Sequence, residues 1–196
     1  VVYEEGKSGK AVRLGDYGLK LDEENLGKEY TVSAWVKPDG TLAENQNVLF
    51  LGYHNPEKWL AVSGKKTGTN TCKIWENGNG YKWSTFWSPE IDTEGWHNIT
   101  LSGKSGQVTA YVDGIKLGTH DSNDPLDGEN QGIYLGVTNW DAEFEGLVDE
   151  VNVYDIALTE KEVQEQNKAD YTQILQEKLE KSLAEIRPED LEGYYF

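Results

Sequence analysis

Cys72-Lys73-Ile74-Trp75-Glu76-Asn77-Gly78-Asn79-Gly80-Tyr81-Lys82-Trp83-Ser84-Thr85-Phe86-Trp87 reads as strand, turn, strand. Strand side chains point to opposite faces with period two, so Cys72 and Ile74 share what reads as the core face. Trp75 falls on the other face with Lys73 and Asn77. The Asn77-Gly78-Asn79-Gly80 run is a strong hairpin signal, because tight turns between strands need residues that tolerate positive φ. Just upstream, Trp59-Leu60-Ala61-Val62-Ser63 repeats the pattern, with Leu60 and Val62 on one face and Trp59, Ala61 and Ser63 on the other. A large aromatic out of phase with the core points to solvent or a groove, and exposed aromatic surface marks a place where something flat binds.

Working outward, similar short runs between turn signals fill the chain to about Ala157. Before the hairpin they are Val2-Glu5, Ala11-Leu14, Gly18-Leu21, Tyr30-Lys37, Val48-Tyr53 and Trp59-Ser63. After it they are His97-Ser102, Gln107-Val112, Ile115-His120, Ile133-Thr138 and Leu147-Tyr154. Asp113-Gly114 predicts a type I′ turn. So many strands at hairpin spacing predict an all-β, two-sheet antiparallel sandwich over residues 1–158. Residues 159–196 read differently. Thr159-Glu160-Lys161-Glu162 is a capping box, and Val163, Tyr171, Leu175, Leu179, Leu183 and Ile186 recur at helical spacing, interrupted by Asn167. Pro188 is the expected end of this C-terminal α-helix, which either packs on the sandwich, bridges to a neighbouring module or self-associates.

The composition narrows the partners. A net charge of −17 over 196 residues disfavours nucleic acid and anionic membrane surfaces. No apolar stretch approaches the ~18 residues of a membrane span. Cys72 is the single cysteine, so no intramolecular disulfide can form, and its place among alternating apolar residues predicts a buried thiol. The chain starts at Val1 and contains no methionine, which reads as a piece of something longer.

Three ordered stretches carry a family resemblance. They are Tyr30-Thr31-Val32-Ser33-Ala34-Trp35-Val36-Lys37-Pro38, then Gly95-Trp96-His97-Asn98-Ile99-Thr100-Leu101 leading to Ala110-Tyr111-Val112-Asp113-Gly114, then Gly146-Leu147-Val148-Asp149-Glu150-Val151-Asn152-Val153-Tyr154 with Ala157-Leu158-Thr159. Over roughly residues 1–165 the chain resembles the laminin-G-like, concanavalin-A-like jelly-roll modules of multimodular bacterial carbohydrate-active and surface proteins. The resemblance implies two curved antiparallel sheets and a carbohydrate-binding role within an extracellular or cell-surface parent protein, where other modules of that chain are partners. It also implies one structural Ca²⁺, with Asp149 as a ligand and Asp16 or Glu5 completing an oxygen shell. The residues themselves leave that open. Asp149 shares parity with Leu147, Val151 and Val153 and is expected to point inward, where its carboxylate needs a cation or backbone amides to cap.

A sugar ring packs its C–H face on an indole and needs amide, carboxylate or backbone partners for its hydroxyls. The strands bearing Trp59, Trp75, Trp83 and Trp87 are consecutive and so are expected to be neighbours in one sheet. Tyr53 and Asn55 precede the first of them, and Asn139-Trp140-Asp141 supplies a suitable rim. Each of Trp59, Trp75, Trp83, Trp87 and Trp140 is expected either to be a sugar platform or to pack under a loop or the terminal helix. Trp35 and Trp96 are expected to fill the core or seal the sandwich edge, and His97 to sit structurally in or beside the core. A glycosidase needs a pair of carboxylates flanking the scissile bond. Asp149 and Glu150 face opposite ways, and Glu143 and Glu145 lack a third acid to extend their pattern. His54, His97 and His120 suggest no triad. A non-catalytic carbohydrate-binding module is therefore the expectation, a protein-binding or spacer module the alternative, and a glycoside hydrolase the less favoured third.

Overall fold

β-Branched and aromatic residues spaced by two have one way to bury a single face, which is to pair into sheets and stack those sheets. The computed structural model does this; it describes residues 1–21, 25–52, 58–64, 72–77, 81–87, 95–129, 131–138 and 141–168, with backbone only for 75–77 and 81–87. The described strands begin with β1 (Val2–Glu5), β2 (Lys10–Leu14), β3 (Leu19–Leu21), β4 (Glu29–Pro38), β5 (Asn47–Gly52), β6 (Trp59–Gly64) and β7 (Cys72–Asn77). They continue with β8 (Tyr81–Trp87), β9 (His97–Lys104), β10 (Gln107–Val112), β11 (Ile115–Asp121), β12 (Gly132–Leu135) and β13 (Gly146–Tyr154). A seven-stranded sheet runs β1-β2-β13-β4-β9-β10-β11 and a six-stranded sheet runs β3-β12-β5-β6-β7-β8. The fold is the expected jelly-roll sandwich.

The core lies between the sheets. Tyr30, Val32, Ala34 and Val36 of β4 and Ile99 and Leu101 of β9 meet Leu49, Leu51, Leu60, Val62, Ile133 and Leu135 from the other sheet. Cys72 joins them as a buried thiol. Asp113 (φ 51°) and Gly114 (φ 74°) make the β10–β11 turn with both central residues at positive φ, as a type I′ turn demands. Asp113 also accepts from the Asn98 amide (2.8 Å) and lies 2.8 Å from His97 Nδ1, which gives this histidine a structural partner beside the core.

β13 departs from simple alternation. Its register against β4 slips between Asp149 and Asn152, and Glu150 takes φ 46°. This is a β-bulge, which inserts one residue and shifts the phase. Val148 pairs with Val36 and Val153 with Val32, both on the core side, whereas Asp149 pairs with Trp35 and Asn152 with Ser33. Asp149 therefore faces outward, contrary to its expected inward direction.

The outer face of the seven-stranded sheet is covered in turn. Helix α1 (160–168) starts at the expected capping box: Thr159 N donates to Glu162 Oε2 (2.8 Å), and Glu162 N reaches Thr159 Oγ1 (3.4 Å). Those bonds from Thr159, backbone first, hold the Glu162 carboxyl below its ordinary range. Val163 is fully buried and packs with Leu158 and Tyr154 on Tyr111 of β10. The described turns of the helix thus pack on the sandwich. The remainder of the expected helix, through Pro188, lies outside the described residues.

Candidate functional site

Trp59 sits on the outer face of the six-stranded sheet, as its parity requires, because Gly52–Trp59 and Phe50–Ala61 are register pairs while Leu51–Leu60 faces the core. It is not exposed. Trp59 is only 3% accessible and stacks on Phe50 with centroids 5.8 Å apart at 25°, while Tyr134 meets Phe50 edge-on at 5.7 Å. Phe50, Trp59, Ala61 and Tyr134 form a small apolar cluster of their own on this face. Of the two expectations for Trp59, a sugar platform or packing under other parts of the chain, its burial fits the second. Parity fixes the face of a side chain but not what covers it.

Toward one end of the same face the chemistry turns polar. Ser63 pairs with Lys73 across β6 and β7, and with Asn47 across β5 and β6. Lys73 is buried, and its ammonium donates to Asn45 Oδ1. Burial lowers the Lys73 pKa, and the negative charges of Glu44 and Asp141 oppose that shift. Asn47 and Ser63 are fully buried, yet among the described residues both side-chain amide atoms of Asn47 and the Ser63 hydroxyl have no hydrogen-bond partner.

Three segments are tied together around this cluster. Gln46 accepts from the Ala43 amide (3.0 Å) and donates to the Glu143 carbonyl (2.9 Å). Asn47 N donates to the Ala142 carbonyl (2.9 Å), and Asn45 N to that of Gly64 (2.9 Å). Asp141 is anchored by its own amide on Thr138 Oγ1 (2.9 Å). The β4–β5 loop, the end of β6 and residues 141–143 are therefore one structure, which brings Asp141 beside Lys73. An ammonium, amides, a hydroxyl and a carboxylate next to aromatic carbon form the chemistry that a polyhydroxylated ligand needs.

Of the other residues expected at the site, Trp75 on β7 and Trp83 and Trp87 on β8 follow Trp59 on β6, and these strands are consecutive neighbours, β6-β7-β8. Position 75 pairs with Ala61 and position 87 with Lys73. Their side chains, and Tyr53, Asn55, Asn139 and Trp140 entirely, lie outside the described residues. Sequence reasoning passed over Asn45, Asn47, Ser63, Lys73, Phe50 and Tyr134. A signal existed for two of them, since Ser63 and Lys73 share strand parity with the out-of-phase Trp59 and Trp75.

Of the expected calcium ligands, Asp149 and Glu5 lie at the β1–β2 hairpin, and Asp16 lies past the other end of β2. Asp149 Oδ2 accepts from the Ser8 amide (3.0 Å), and Oδ1 from the Glu150 amide (2.9 Å). It approaches the β1–β2 hairpin so closely that a Cβ on Gly6 would lie 2.5 Å from Oδ2. Asp16 follows the far end of β2, beyond Leu14, and Glu5 is exposed at the hairpin. Among the described residues no group of three His, Cys, Asp or Glu could hold a metal ion. Asp149 caps the β1–β2 hairpin and the start of the β13 bulge through these two amides. Asp149→Ala is expected to cost about 1 kcal/mol by removing two hydrogen bonds to solvent-exposed amides, and the loss in thermal unfolding should be equal in calcium and in chelator. A loss seen only with calcium would return Asp149 to the ligand role.

Comparison with known proteins agrees with the fold. Residues 13–164 match the family model described as the Concanavalin A-like lectin/glucanases superfamily. The chain is similar to domain 4 of AbnA, a GH43 extracellular arabinanase from Geobacillus stearothermophilus solved in complex with arabinotriose, at 31% identity and TM-score 0.69, covering 83% of this chain and 79% of that one. It also shares its fold with the CBM40 of a Ruminococcus gnavus IT-sialidase bound to alpha2,3 sialyllactose, at 15% identity and TM-score 0.63 over 85% and 98% of the two chains. The heptameric SAP-like pentraxin from Limulus polyphemus shares it too, at 16% identity and TM-score 0.59 over 79% of each chain. No curated protein matches the chain. Among the described residues no helix is long and apolar enough to cross a membrane.

Proposed function

The chain belongs to the concanavalin A-like lectin/glucanases superfamily, and we propose that it is a non-catalytic carbohydrate-binding module whose site is the outer face of the six-stranded sheet. The observation that carries this reading is the buried, unpartnered side chains of Asn47 and Ser63 beside Lys73, next to an aromatic cluster. Two orphaned polar groups this close together are an unusual cost, about 1–3 kcal/mol each, and a sugar hydroxyl both donates and accepts. Local opening of the cover over this end would admit a sugar, with Lys73 and Asp141 holding its rim hydroxyls.

The ligand class we favour is an oligosaccharide of arabinose. The likeness to the arabinanase domain is high enough in identity to suggest a shared ligand as well as a shared fold. That relative also supports an extracellular setting, with the module holding a secreted parent enzyme or surface protein on its polysaccharide. The test is a titration of the chain with arabinotriose and a panel of other glycans, read by tryptophan fluorescence and calorimetry. Arabinotriose is expected to shift the emission saturably. Lys73→Met should weaken that binding about tenfold, as losing one charged hydrogen bond does. Silence across the panel would sink the proposal in favour of a protein-binding or spacer module. Release of reducing sugar would restore the hydrolase reading.

A further inference from the structure

A second pocket lies on the opposite side of the sandwich, over the outer face of the seven-stranded sheet. Its volume is about 500 Å³, and it is lined by Lys7, Trp35, Asn98, Asn152, Gln166 and Asn167 among others. It sits between the β1–β2 hairpin, β13 and helix α1. The bulge in β13 helps to build it, since the slipped phase brings Asn152 opposite Ser33 on the outer face. Trp35, expected in the core or sealing an edge, in fact lies here under Lys7, whose ammonium is 4.0 Å from the ring centroid.

The amides in this pocket are oriented by the protein. Asn98 Oδ1 accepts from Thr100 Oγ1 (2.6 Å), Asn152 Nδ2 donates to the Glu150 carbonyl (3.0 Å), and Gln166 Nε2 donates to Tyr154 (2.9 Å). Asn167 is 6% exposed and donates Nδ2 to the Val163 carbonyl (2.9 Å). That bond fixes the amide and leaves Oδ1 as a buried acceptor with no partner among the described residues. An acceptor in need of a donor selects among ligands. Carboxylate, sulfate and phosphate at neutral pH bring mainly acceptors and would leave Asn167 Oδ1 orphaned. A hydroxyl brings both functions. The charges agree, because Lys7 and Glu150 both line the pocket and offset each other.

From these observations we infer that this pocket is a second saccharide site, taking one neutral sugar unit from an oligosaccharide. Hydroxyls meet Asn98, Asn152 and Asn167, and a C–H face of the ring lies on the Trp35 indole once Lys7 swings aside. A cation–π contact near the surface is worth only about 0.5–1 kcal/mol, which a sugar ring stacked on the same indole can replace. The volume falls inside the range of small-ligand pockets, about 300–1,000 Å³. The site is separate from the one proposed above and stands without it.

Arabinotriose, xylose, galactose and sulfate can each be titrated into the whole ¹⁵N-labelled chain. The readout is the Trp35 indole resonance, assigned with Trp35→Phe, and the side-chain amides of Asn152 and Asn167. At least one sugar is expected to shift all three saturably, and exposed Asn152→Ala should weaken that binding about fivefold. Lys73→Met should leave it unchanged, which separates this pocket from the other face. The inference is overturned if no sugar shifts these resonances, if Asn152→Ala binds as tightly as the parent, or if only sulfate acts.

Discussion

Trp59→Ala is expected to destabilise the protein by about 3–5 kcal/mol, the usual cost of emptying a buried large aromatic position. In a chain of this length that corresponds to a fall in melting temperature of roughly 10 °C. Trp59 is 3% exposed, and the Phe50 it stacks on is completely buried. Removing the indole takes away one wall of a cluster whose remaining members are Phe50, Ala61 and Tyr134. The neighbouring backbone cannot collapse to fill the gap, because β6 is held in register by β5 on one side and β7 on the other. Trp59→Phe should recover most of the loss. A stacking platform open to solvent behaves in the opposite way, losing sugar affinity at a stability cost within about 0.5 kcal/mol. Urea unfolding and arabinotriose titration on the same variant decide between them. Unchanged stability with lost binding would contradict the buried packing seen here.

The same residue shows what the sequence could tell. The face of Trp59 was legible, because β5, β6 and β7 alternate without interruption near it. Its burial was not, because period two says nothing of what lies over a sheet. β13 shows the complementary failure. Nothing in Leu147-Val148-Asp149-Glu150-Val151 signals that Glu150 adopts positive φ, a conformation uncommon for a non-glycine residue. One inserted residue turned Asp149 from the core side to the outer side and removed the argument for a buried metal ligand. Where local chemistry alone decides, the reading held: two residues suited to positive φ at Asp113-Gly114, and the reciprocal bonds of Thr159 and Glu162. Lys73 falls between these cases. Its place on the tryptophan face was visible in the alternation, but its bond to Asn45 depends on a loop from far away in the chain.

Thr31 tests how the C-terminal segment is held. Thr31 is completely buried, although it lies on the outer face of β4, opposite Ser102 of β9. Its hydroxyl donates to the Ile156 carbonyl (2.8 Å) and accepts from the Leu158 amide (2.9 Å). Ser102 Oγ donates to the Leu158 carbonyl (2.9 Å). Two hydroxyls on neighbouring strands thus take the place of a strand partner for the chain that leads into α1. Thr31→Val keeps the shape and deletes the hydroxyl, which orphans one amide and one carbonyl at a cost of about 2–4 kcal/mol. That cost falls on the segment and not on the sandwich, because Leu158 and Val163 cluster with Tyr111, apart from the main core. The expected result is local opening: faster hydrogen exchange and proteolysis in residues 155–168, with slow exchange retained at Val32 and Leu101. Thr31→Ser, which restores the hydroxyl, should close the segment again. Global unfolding in step with exchange at Val163 would show instead that the helix and the sandwich form one cooperative unit. Opening would also separate Gln166 and Asn167 from Trp35 and Asn98, so sugar binding in the second pocket should fall with it while binding at Lys73 persists.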